Sequence, residues 1–538
     1  MGYRFATPAP EAYAYPLLIR HLLQSALDVR SPCEIVGTDG RRHDYPEFAR
    51  RVGRLAAVLA DHGIGPGDVV AVMDWDSHRY LEAYFAVPMM GAVLQTVNVR
   101  LSPDQIAYTI ADSGARLLLF HADFATLVGT IEGQLPALTC RIAMHDGSPV
   151  GDMAVAGDYE TLLAAGSDLF PFVDFDEHAL ATTFHTTGTT GLPKAVAFSH
   201  RQIVLHTLAG LATMAGQPDH QALRRDDVYM PLTPMFHVHA WGLPYVATLL
   251  GLKQVYPGRY LADRIVALGE NEGVTFSHGV PTIVQMLVEA LGERTLERPW
   301  KMVVGGSALP GSLCDAARER GIMVFAGYGM SETAPVVSIA RNDPGDSLDS
   351  TEHCCLAGRP IPLVQVRVVD ERGADAMEGE LTVRAPWLTM GYGDDRHASD
   401  ALWRGGWLHT QDVVQVTPRG DIVVRDRLKD VIKSGGEWIS SIQIEELLMR
   451  HPQVAAAAVV GVPDDRWGER PIAFIVPVAE APDLPTILVH LSQFVRQGVI
   501  SRYALPDRLI VLDALPRTSV GKIDKKALRI GALSVAGG

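Results

Sequence analysis

Short apolar runs alternate with helical patterns over the first two thirds of the chain. Residues 68–75 (DVVAVMDW), 115–122 (ARLLLFHA) and 140–147 (CRIAMHDG) are predicted strands, and helix-like stretches such as residues 45–62 separate runs of this kind. Continuous apolar strands between helices indicate parallel sheets that are covered on both faces. The pattern recurs in residues 273–291, 301–310 and 322–333, where each strand runs into a turn with Gly or Pro. In open α/β sheets, ligands bind at such carboxyl ends of strands.

The pattern changes after about residue 356. Residues 363–373 and 379–386 alternate apolar and polar positions, which is typical of half-buried antiparallel strands, and residues 413–427 predict a hairpin. Ser440 and Gln443 have the spacing of a capping box, so a helix is expected to begin there and end before Pro452. We therefore predict two domains, residues 1–427 and a small α+β domain of residues 428–538.

The charge of the chain excludes one class of function. The 538 residues carry a net charge of −15, which disfavours sequence-independent binding of nucleic acid. From Lys429 onward the charge is close to neutral, with 13 basic and 12 acidic residues, which agrees with a separate C-terminal unit.

The five cysteines show neither a disulfide framework nor a zinc motif, because their number is odd and CxxC is absent. We interpret them as buried small apolar residues in a reducing compartment. With no apolar run of about 18 residues and no signal peptide, we expect a cytoplasmic protein without a membrane span.

The stretch TTGTTGLPKAV, residues 186–196, is the most informative part of the chain. It follows a predicted strand and precedes a second strand and a helix that Ser199 and Gln202 would cap. Glycine lets backbone N–H groups approach an anion closely, threonine hydroxyls add donors, and Lys194 adds positive charge. The stretch is not a Walker A loop, which requires GxxxxGK[ST]. The residues by themselves leave open a phosphate cradle or an ordinary polar loop.

This loop resembles the signature loop of the adenylate-forming superfamily, the acyl-CoA synthetase or AMP-binding family. Six further motifs of that family follow in its order: PMFHVHAWG (234–242), GGSALP (305–310), GYGMSET (327–333), TQD (410–412), RDRLKDVIKSGGEWIS (425–440) and PRTSVGK (516–522). Seven motifs in order make coincidence negligible. The SGGEWIS block and the context of Trp241 are most similar to medium- and long-chain fatty-acyl-CoA synthetases.

The resemblance implies an α/β fold class. It implies a large N-terminal domain of αβ-layered sheets with a small barrel-like β subdomain, followed by a small mobile α+β domain. The implied activity is that of an ATP-dependent carboxylic acid–CoA ligase. Such an enzyme forms an acyl-adenylate and then transfers the acyl group to coenzyme A. The implied ligands are ATP, Mg²⁺, coenzyme A and a small-molecule carboxylic acid. Members of the family commonly form homodimers, so a homodimer is also implied.

The resemblance also implies roles for particular side chains. Lys522 would be the adenylation lysine, since a long flexible ammonium can reach into a closing site. Glu332 would bind Mg²⁺ with Thr186 as its hydroxyl partner, because one carboxylate beside substrate phosphates suits that ion. His237 would lie against the carboxylate end of the acid. Trp241 resembles the gate of an acyl tunnel, although an ordinary core indole is the alternative.

Further residues would bind the nucleotide or coenzyme A. Asp412 would accept the two ribose hydroxyls with support from Arg427, Tyr328 would stack on the purine, and Lys429 matches the hinge between the domains. The whole predicted cofactor-binding set comprises Thr186, Thr187, Gly188, Thr189, Thr190, Gly191, Gly305, Gly306, Ser307, Gly327, Tyr328, Gly329, Met330, Ser331, Asp412, Arg427, Lys433, Ser434, Gly435, Gly436 and Trp438, of which Ser434–Gly436 would flank the pantetheine tunnel.

Two positions depart from the family pattern. Gln411 stands where the family usually has Gly, and we expect it to tighten the turn. Ala195 follows Lys194 where Gly is common, and alanine requires ordinary backbone angles there. We expect altered loop mobility at Ala195 without loss of function.

The residues bear on several alternatives to the CoA ligase. The acyl group could go to a carrier-protein thiol or to an oxidative step, since such enzymes share the nucleotide site. A sensor without catalysis would show damage at Lys522, Glu332 or Lys194, and all three are intact. A hydrolase would need a GxSxG elbow around Ser307 or Ser331, which is absent.

For the acid, a medium- or long-chain fatty acid is the default, a bulky aromatic or terpenoid acid is second, and small sulfur-containing acids remain open.

Overall fold

The computed structural model describes residues 3–147, 153–186, 192–343, 351, 353–435, 437–517 and 523–536, with 533–536 described by their backbone alone. The helices are α1 (Arg20–Asp28), α2 (Tyr45–Asp61), α3 (His78–Met89), α4 (Pro103–Asp112), α5 (Ala125–Ile131), α6 (Tyr159–Ala165), α7 (His200–Ala215), α8 (Leu243–Leu250), α9 (Ala262–Glu272), α10 (Pro281–Leu291), α11 (Gly311–Glu319), α12 (Arg396–Leu402), α13 (Ser441–Met449), α14 (Leu484–Arg496) and α15 (Lys525–Ala536). The strands are β1 (Glu34–Val36), β2 (Arg42–Asp44), β3 (Val69–Met73), β4 (Val93–Thr96), β5 (Leu117–His121), β6 (Cys140–Met144), β7 (Gly157–Asp158), β8 (Leu180–Thr186), β9 (Lys194–Ser199), β10 (Val228–Leu232), β11 (Lys253–Val255), β12 (Phe276–Gly279), β13 (Trp300–Val304), β14 (Ile322–Gly329), β15 (Val336–Ile339), β16 (Arg359–Pro360), β17 (Gln365–Val369), β18 (Glu378–Arg384), β19 (Trp403–Arg404), β20 (Trp407–Val416), β21 (Ile422–Arg427), β22 (Ile432–Ser434), β23 (Glu437–Ile439), β24 (Val454–Asp464), β25 (Gly468–Pro477) and β26 (Arg508–Val511).

Two large sheets form most of the N-terminal part. One has the strand order β7-β6-β5-β3-β4-β8-β9, and the other β16-β15-β14-β13-β12-β10-β11-β1-β2. The runs predicted at 68–75, 115–122 and 140–147 are β3, β5 and β6, which pair in parallel as expected. Both sheets end in antiparallel pairs, such as β8 with β9 and β14 with β15.

Local sequence explains these elements. The strand β3 reads VVAVM and is buried over four of its five positions, so it has no solvent face and no alternating pattern. The helix α2 begins after Asp44, whose side chain accepts a hydrogen bond from the Glu47 N–H, with Pro46 in the first turn. The predicted capping box of Ser199 and Gln202 is present at the start of α7.

The remaining sheets are antiparallel in the main. The third has the order β17-β18-β20-β19 with β21 paired to β20, which confirms the predicted hairpin. The fourth has the order β23-β22-β25-β24 with β26 on β25. The helix α13 begins after Ser440, which accepts a hydrogen bond from the Gln443 N–H, as the spacing predicts.

The buried cores separate along the chain. The main core extends from Ile19 to Ile422 across the first three sheets, and the two C-terminal cores begin at Ile432 and Ala458. The predicted division at 427/428 falls in the gap between them and stays a prediction. Within the described ranges, none of the helices combines the length and apolar character that crossing a membrane requires.

Candidate active site

Glu332 is fixed by a tyrosine that sequence reasoning did not single out. It lies in the 3₁₀ turn Ser331–Thr333 after β14 and is 6% exposed. The hydroxyl of Tyr392 donates a hydrogen bond to Glu332 Oε1 at 2.6 Å. Burial, followed by the charge of Glu332, raises the pKa of Tyr392, so this side chain stays a neutral donor. One oxygen of the Glu332 carboxylate is therefore held in a defined position.

Lys194 contacts the same tyrosine. It opens β9 opposite Thr186, whose hydroxyl donates to the Lys194 carbonyl oxygen at 3.5 Å. Its Nζ lies 5.1 Å from the centroid of the Tyr392 ring and 3.1 Å from an oxygen of Asp395. Tyr392 thus joins Lys194 and Glu332 in one corner. The one signal that could have found it is the repeated GYG, at residues 327–329 and 391–393.

A second carboxylate lies where three strands meet. The hydroxyl of Tyr328, near the end of β14, donates to Asp412 Oδ2 at 2.6 Å, and Arg427 Nε lies 3.4 Å from Asp412 Oδ1. Asp412 and Arg427 face each other on β20 and β21. Burial and the charge of Asp412 raise the pKa of Tyr328 well above its usual range. The predicted ribose acceptor, its arginine and the predicted purine platform therefore lie together.

Glycine is required at two of the predicted positions by close approach. A Cβ on Gly305 would lie 2.7 Å from the Gly327 carbonyl oxygen and 3.1 Å from the Trp241 ring. A Cβ on Gly329 would lie 1.8 Å from the Pro335 carbonyl oxygen. The end of β13, the end of β14 and the Trp241 indole are thus packed together without room for a side chain.

The segment that carries Trp241 is a left-handed turn. Residues 238–242 all have positive φ, between 47° and 75°, and four of the five are not glycine. Each non-glycine residue in this conformation costs about 1–2 kcal/mol. His237 precedes the turn and is half-buried, whereas Trp241 is buried with its ring 5.2 Å from that of His278. Surrounding packing must hold this turn in place.

The histidines within the turn and packed near it are neutral. Burial lowers the pKa of His206, His239 and His278 to about 3 each. The ring of His239 lies among aromatic rings, 5.3 Å from Phe184 and 6.1 Å from Tyr84 between centroids. An uncharged, largely apolar surface therefore lies beside Trp241.

The sequence signature of the AMP-binding enzyme family matches residues 26–393, and the signature of the AMP-binding enzyme C-terminal domain matches residues 443–522. The chain belongs to the AMP-binding enzyme family. It is 42% identical over 503 residues to a long-chain-fatty-acid–CoA ligase of Thermus thermophilus, covering 91% of this chain and 90% of the relative. It is 36% identical to a 3-methylmercaptopropionyl-CoA ligase of Ruegeria lacuscaerulensis, covering 96% and 97% of the two chains. A medium-chain-fatty-acid–CoA ligase of Ectopseudomonas oleovorans is 32% identical, with 95% of each chain covered.

Solved structures agree on the fold. The anthranilate CoA ligase AuaEII in complex with anthranoyl-AMP superposes with a TM-score of 0.84 at 22% identity, over 97% of this chain and 99% of that chain. A fatty acyl CoA synthetase of Mycobacterium tuberculosis gives a TM-score of 0.72 at 24% identity, over 96% and 99%. The expected fold, a large α/β part followed by a small C-terminal part, is confirmed.

The two departures from the family pattern have different structural consequences. Gln411 has a φ of +60°, so a residue with a side chain occupies the left-handed conformation that glycine favours. Its N–H donates to Glu380 Oε1 at 3.1 Å, and its carbonyl accepts from Leu428 N–H at 2.8 Å. Ala195 lies within β9 opposite His185 and adopts strand geometry, as its side chain requires.

The C-terminal part of this AMP-binding enzyme presents its predicted residues on β22 and β23. Lys433 Nζ lies 4.9 Å from the ring centroid of Trp438 and 3.1 Å from Glu371 Oε1 in the β17–β18 connection. Ser434 is buried and accepts a hydrogen bond from Arg470 Nη1 at 3.1 Å.

The hinge position and the pantetheine-flanking glycine also make specific contacts. Gly435 has a φ of +62°, and a Cβ there would lie 3.0 Å from the Tyr503 ring. Partial loss of hydration lowers the pKa of the Lys429 ammonium, and the carbonyl of Lys429 accepts a hydrogen bond from Arg529 Nη2 at 3.2 Å. The predicted hinge is thus in contact with α15.

Some predicted residues lie outside the described ranges. These are Thr187, Gly188, Thr189, Thr190, Gly191, Gly436 and Lys522. The remaining predicted residues fall at or just after strand ends of the large part, at the turn before α8, in the middle of β20, or on β21–β23 and their connections. Gly306 and Ser307 follow β13 after Gly305, Gly327 precedes Tyr328 within β14, and Met330 and Ser331 follow that strand. We refer to the surface formed by these strand ends together with Glu332 and Asp412 as the crevice.

The donor set around Glu332 fits Mg²⁺. Magnesium takes oxygen ligands and commonly uses one or two protein carboxylates beside water and phosphate oxygens. Glu332 offers a carboxylate that Tyr392 orients, and Thr186, whose hydroxyl donates to the Lys194 carbonyl, offers a hydroxyl. Histidine or thiolate ligands are not part of this set, as a hard cation requires.

A different group of metal-type ligands surrounds His78. Among the described residues, His43, His78 and Glu82, and also Asp39, His78 and Glu160, lie close enough to share an ion. The guanidinium of Arg51 donates to Glu82 at 2.6 Å and to Glu160 at 2.9 Å. Because these carboxylates already neutralise a buried arginine, we assign no metal to His78.

Proposed function

We propose that this AMP-binding enzyme is an AMP-forming carboxylic acid–CoA ligase whose preferred acid is a medium- or long-chain fatty acid. The acid carboxylate attacks the α-phosphate of ATP, giving an acyl-adenylate and pyrophosphate. The thiol of coenzyme A then attacks the adenylate carbonyl, giving the acyl-CoA and AMP. The observation that carries the proposal is the convergence of Tyr328, Asp412 and Arg427 beside the corner formed by Glu332, Tyr392 and Lys194.

Each side chain of the crevice has a place in the first step. Asp412 accepts the ribose hydroxyls, and the ring of Tyr328 supports the purine. Two anions must meet, so positive charge has to stand where negative charge builds up. Lys194 supplies it from β9, and its contact with Asp395 is exposed enough to be exchanged for a phosphate. Mg²⁺ held by Glu332 and Thr186 would neutralise phosphate oxygens.

Lys522 completes this set as the adenylation lysine. It belongs to the C-terminal unit, which we propose begins at residue 428 and turns about Lys429 between the two steps. Ser434, Gly435 and Gly436 would then flank the path of the pantetheine arm.

We assign the reaction to the cytoplasm. We also propose that the protein is a homodimer, which light scattering of the purified chain at several concentrations tests.

The surroundings of Trp241 support an apolar acid. The indole packs against Gly305 at the nucleotide crevice and against His278, and the neighbouring histidines are uncharged. A second charge at the far end of the acid would lose its hydration there without a partner. Relatives named as ligases of 3-methylmercaptopropionate keep a small sulfur-containing acid as the second candidate.

The test is pyrophosphate release from ATP with a panel of acids, with and without coenzyme A. The panel contains fatty acids of increasing length, 3-methylmercaptopropionate and aromatic acids, and it is run on the wild type and on Lys522→Ala. We expect turnover with fatty acids only when coenzyme A is present. Lys522→Ala should lose adenylate formation by about 10²–10³-fold and still convert a supplied acyl-adenylate into thioester.

Other outcomes would overturn parts of the proposal. If an adenylate accumulates and coenzyme A does not consume it, a carrier-protein thiol replaces coenzyme A as the proposed acceptor of the acyl group. Highest turnover with 3-methylmercaptopropionate or with an aromatic acid would replace the fatty acid. Equal loss of both half-reactions in Lys522→Ala would remove this lysine from its specific role in adenylation.

A further inference from the structure

A buried carboxylate joins the two proposed domains beside the hinge position. Asp426 lies near the end of β21 and is 1% exposed. Its Oδ2 accepts a hydrogen bond from the N–H of Ser441 at 2.7 Å and a second one from the Ser441 hydroxyl. Ser441 is the buried first residue of α13, and the preceding Ser440 donates its hydroxyl to the carbonyl oxygen of Arg425. The start of α13 is therefore held against β21 across the proposed boundary, where the helix dipole also favours a carboxylate.

The start of α15 meets the same contact. Lys525 Nζ donates a hydrogen bond to the Ser441 hydroxyl and lies 2.8 Å from Glu445 Oε1, with both side chains of this ion pair mostly buried. Glu445 also accepts a hydrogen bond from the Val459 N–H at 2.7 Å. Burial raises the pKa of Asp426, and the charge of Lys525 opposes this rise. We call Asp426, Ser441 and Lys525 the latch, because they connect β21 to two elements of the C-terminal part.

The latch spans the place where the proposed motion occurs. Asp426 belongs to the large part, and Ser441 and Lys525 belong to the C-terminal part, so a turn about Lys429 must separate Ser441 from Asp426. A buried carboxylate that loses its donors has to regain water or find other partners, and this makes separation costly. The orientation seen in this structure is therefore favoured by the latch.

The neighbours of the latch indicate which step this orientation serves. Asp426 directly precedes Arg427, which contacts the proposed ribose acceptor Asp412. Lys525 stands three positions after Lys522, the proposed adenylation lysine, and opens α15. Lys433, on the hairpin that we assign to the second step, is paired with Glu371 in the β17–β18 connection. The chain that follows Lys522 is thus fastened beside the strand that carries Arg427.

We propose that Asp426 is a positioning residue that holds the C-terminal part in the orientation for adenylation and releases it for transfer to coenzyme A, an assignment that rests on the proposed function. Asp426 acts through the placement of Lys522 and not on the substrates themselves. Its removal should lower the fraction of molecules that are ready for the first step, and this fraction enters kcat. The KM for ATP and the second step should be spared.

Three variants of the full chain separate the latch from general stability. Asp426→Ala removes the acceptor. Ser441→Pro removes both donors and keeps the helix, because proline is well accommodated at the first helical position and Ser440 already has the extended backbone that precedes a proline. Asp483→Ala is the matched control, since Asp483 caps α14 within the C-terminal part, away from the boundary.

The two half-reactions are measured separately. We expect Asp426→Ala and Ser441→Pro to lower kcat for adenylate formation about tenfold, with the KM for ATP within about twofold of the wild type. Thioester formation from a supplied acyl-adenylate and coenzyme A should stay within about twofold of the wild type or rise. The control Asp483→Ala should leave both half-reactions within about twofold.

Limited digestion with trypsin tests the latch without any activity. Arg425, Arg427 and Lys429 are cleavage sites at the boundary. Cleavage of this segment follows the population of the open form, so it should be about tenfold faster in Asp426→Ala and Ser441→Pro than in the wild type. Asp483→Ala should keep the rate of the wild type at this segment. If no acid gives an adenylate, the ligase proposal fails, and the digestion still decides whether the latch exists.

Three results would overturn the latch. The first is an equal loss of both half-reactions in Asp426→Ala, and the second is cleavage at residues 425–429 no faster than in Asp483→Ala. The third is an effect of Asp426→Ala that Ser441→Pro does not share. That result would mean that Asp426 acts through Arg427, whose N–H it accepts at 2.8 Å, and not through α13. Thermal unfolding of each variant confirms that the chain compared is folded.

Discussion

The proposed nucleotide crevice of the large part and the exposed face of the C-terminal part hold their predicted residues in different ways. In the crevice, Glu332 and Asp412 are 6% and 7% exposed, and each accepts a hydrogen bond from a half-buried tyrosine at 2.6 Å. In the C-terminal part, Lys433 contacts Glu371 through side chains that are 54% and 66% exposed. The buried hydrogen bonds hold the two carboxylates in defined positions. The exposed ion pair of Lys433 and Glu371 is weak and can be replaced by other contacts. This contrast agrees with the proposal of a fixed nucleotide site and a C-terminal unit that turns between the two steps.

The largest effect is expected from Asp412→Ala. It removes the proposed acceptor of the ribose hydroxyls and takes away the carboxylate that Tyr328 and Arg427 share. Hydrogen bonds to a charged group contribute about 1.5–3 kcal/mol each, so kcat/KM for ATP should fall by about 10²-fold or more. Steady-state pyrophosphate release at varied ATP measures this.

The matched control for that change is Asp421→Ala. Asp421 is also a buried carboxylate, lies directly before β21, and contacts Arg359 at 3.1 Å. Its removal should lower the temperature of unfolding and leave the KM for ATP within about twofold. A similar KM increase in both variants would mean that Asp412 acts through the fold and not through the nucleotide.

The next effect is expected from Tyr392→Phe, which removes the hydroxyl that orients Glu332. The concentration of Mg²⁺ for half-maximal adenylation should rise about tenfold, the equivalent of one hydrogen bond to a charged group. A titration with MgCl₂ at saturating ATP measures it. The exposed pair in which Tyr13 donates to Asp174 supplies the control Tyr13→Phe, which should leave the Mg²⁺ dependence unchanged. An unchanged titration in Tyr392→Phe would argue against Glu332 as a Mg²⁺ ligand.

A smaller and opposite effect is expected from Gln411→Gly. Gln411 has a φ of +60°, a backbone conformation that glycine adopts at little cost. Removing the strain of the side chain should therefore raise the free energy of unfolding by about 1 kcal/mol. Urea unfolding followed by fluorescence measures it. Gln415→Gly, in the same strand, should lower stability by about 0.5–1 kcal/mol or more, because it loosens the strand and removes the contact with Arg425. Two changes of the same sign would refute the role of strain at Gln411.

The smallest effect is expected from Glu371→Gln at the exposed pair with Lys433. Stability should change by no more than about 0.5 kcal/mol, and the KM for ATP should stay within about twofold. The comparison variant is Glu445→Gln, whose carboxylate meets Lys525 at 2.8 Å with both side chains mostly buried. Breaking that pair should cost about 3–5 kcal/mol. A large loss from Glu371→Gln would mean that the exposed contact fixes the C-terminal part after all.

Sequence patterns locate most strands and helix starts for local reasons. The runs that form β3, β5 and β6 are largely apolar, and the caps at Ser199 and Ser440 are encoded within four residues. The antiparallel edges β8–β9 and β14–β15 do not follow from the sequence, because an apolar run does not specify the direction of its neighbour. The motifs name the residues of the crevice through their resemblance to the family and not through their spacing.

The sequence by itself determined the family, the order of the motifs and the residue types of the crevice, since these are read from local motifs that resemble those of the family. Only the tertiary structure decided that Tyr392 joins Lys194 to Glu332 and that residues 238–242 form a left-handed turn. Most of these contacts join segments that are distant along the chain. They depend on which strands become neighbours, and a linear pattern does not carry that information.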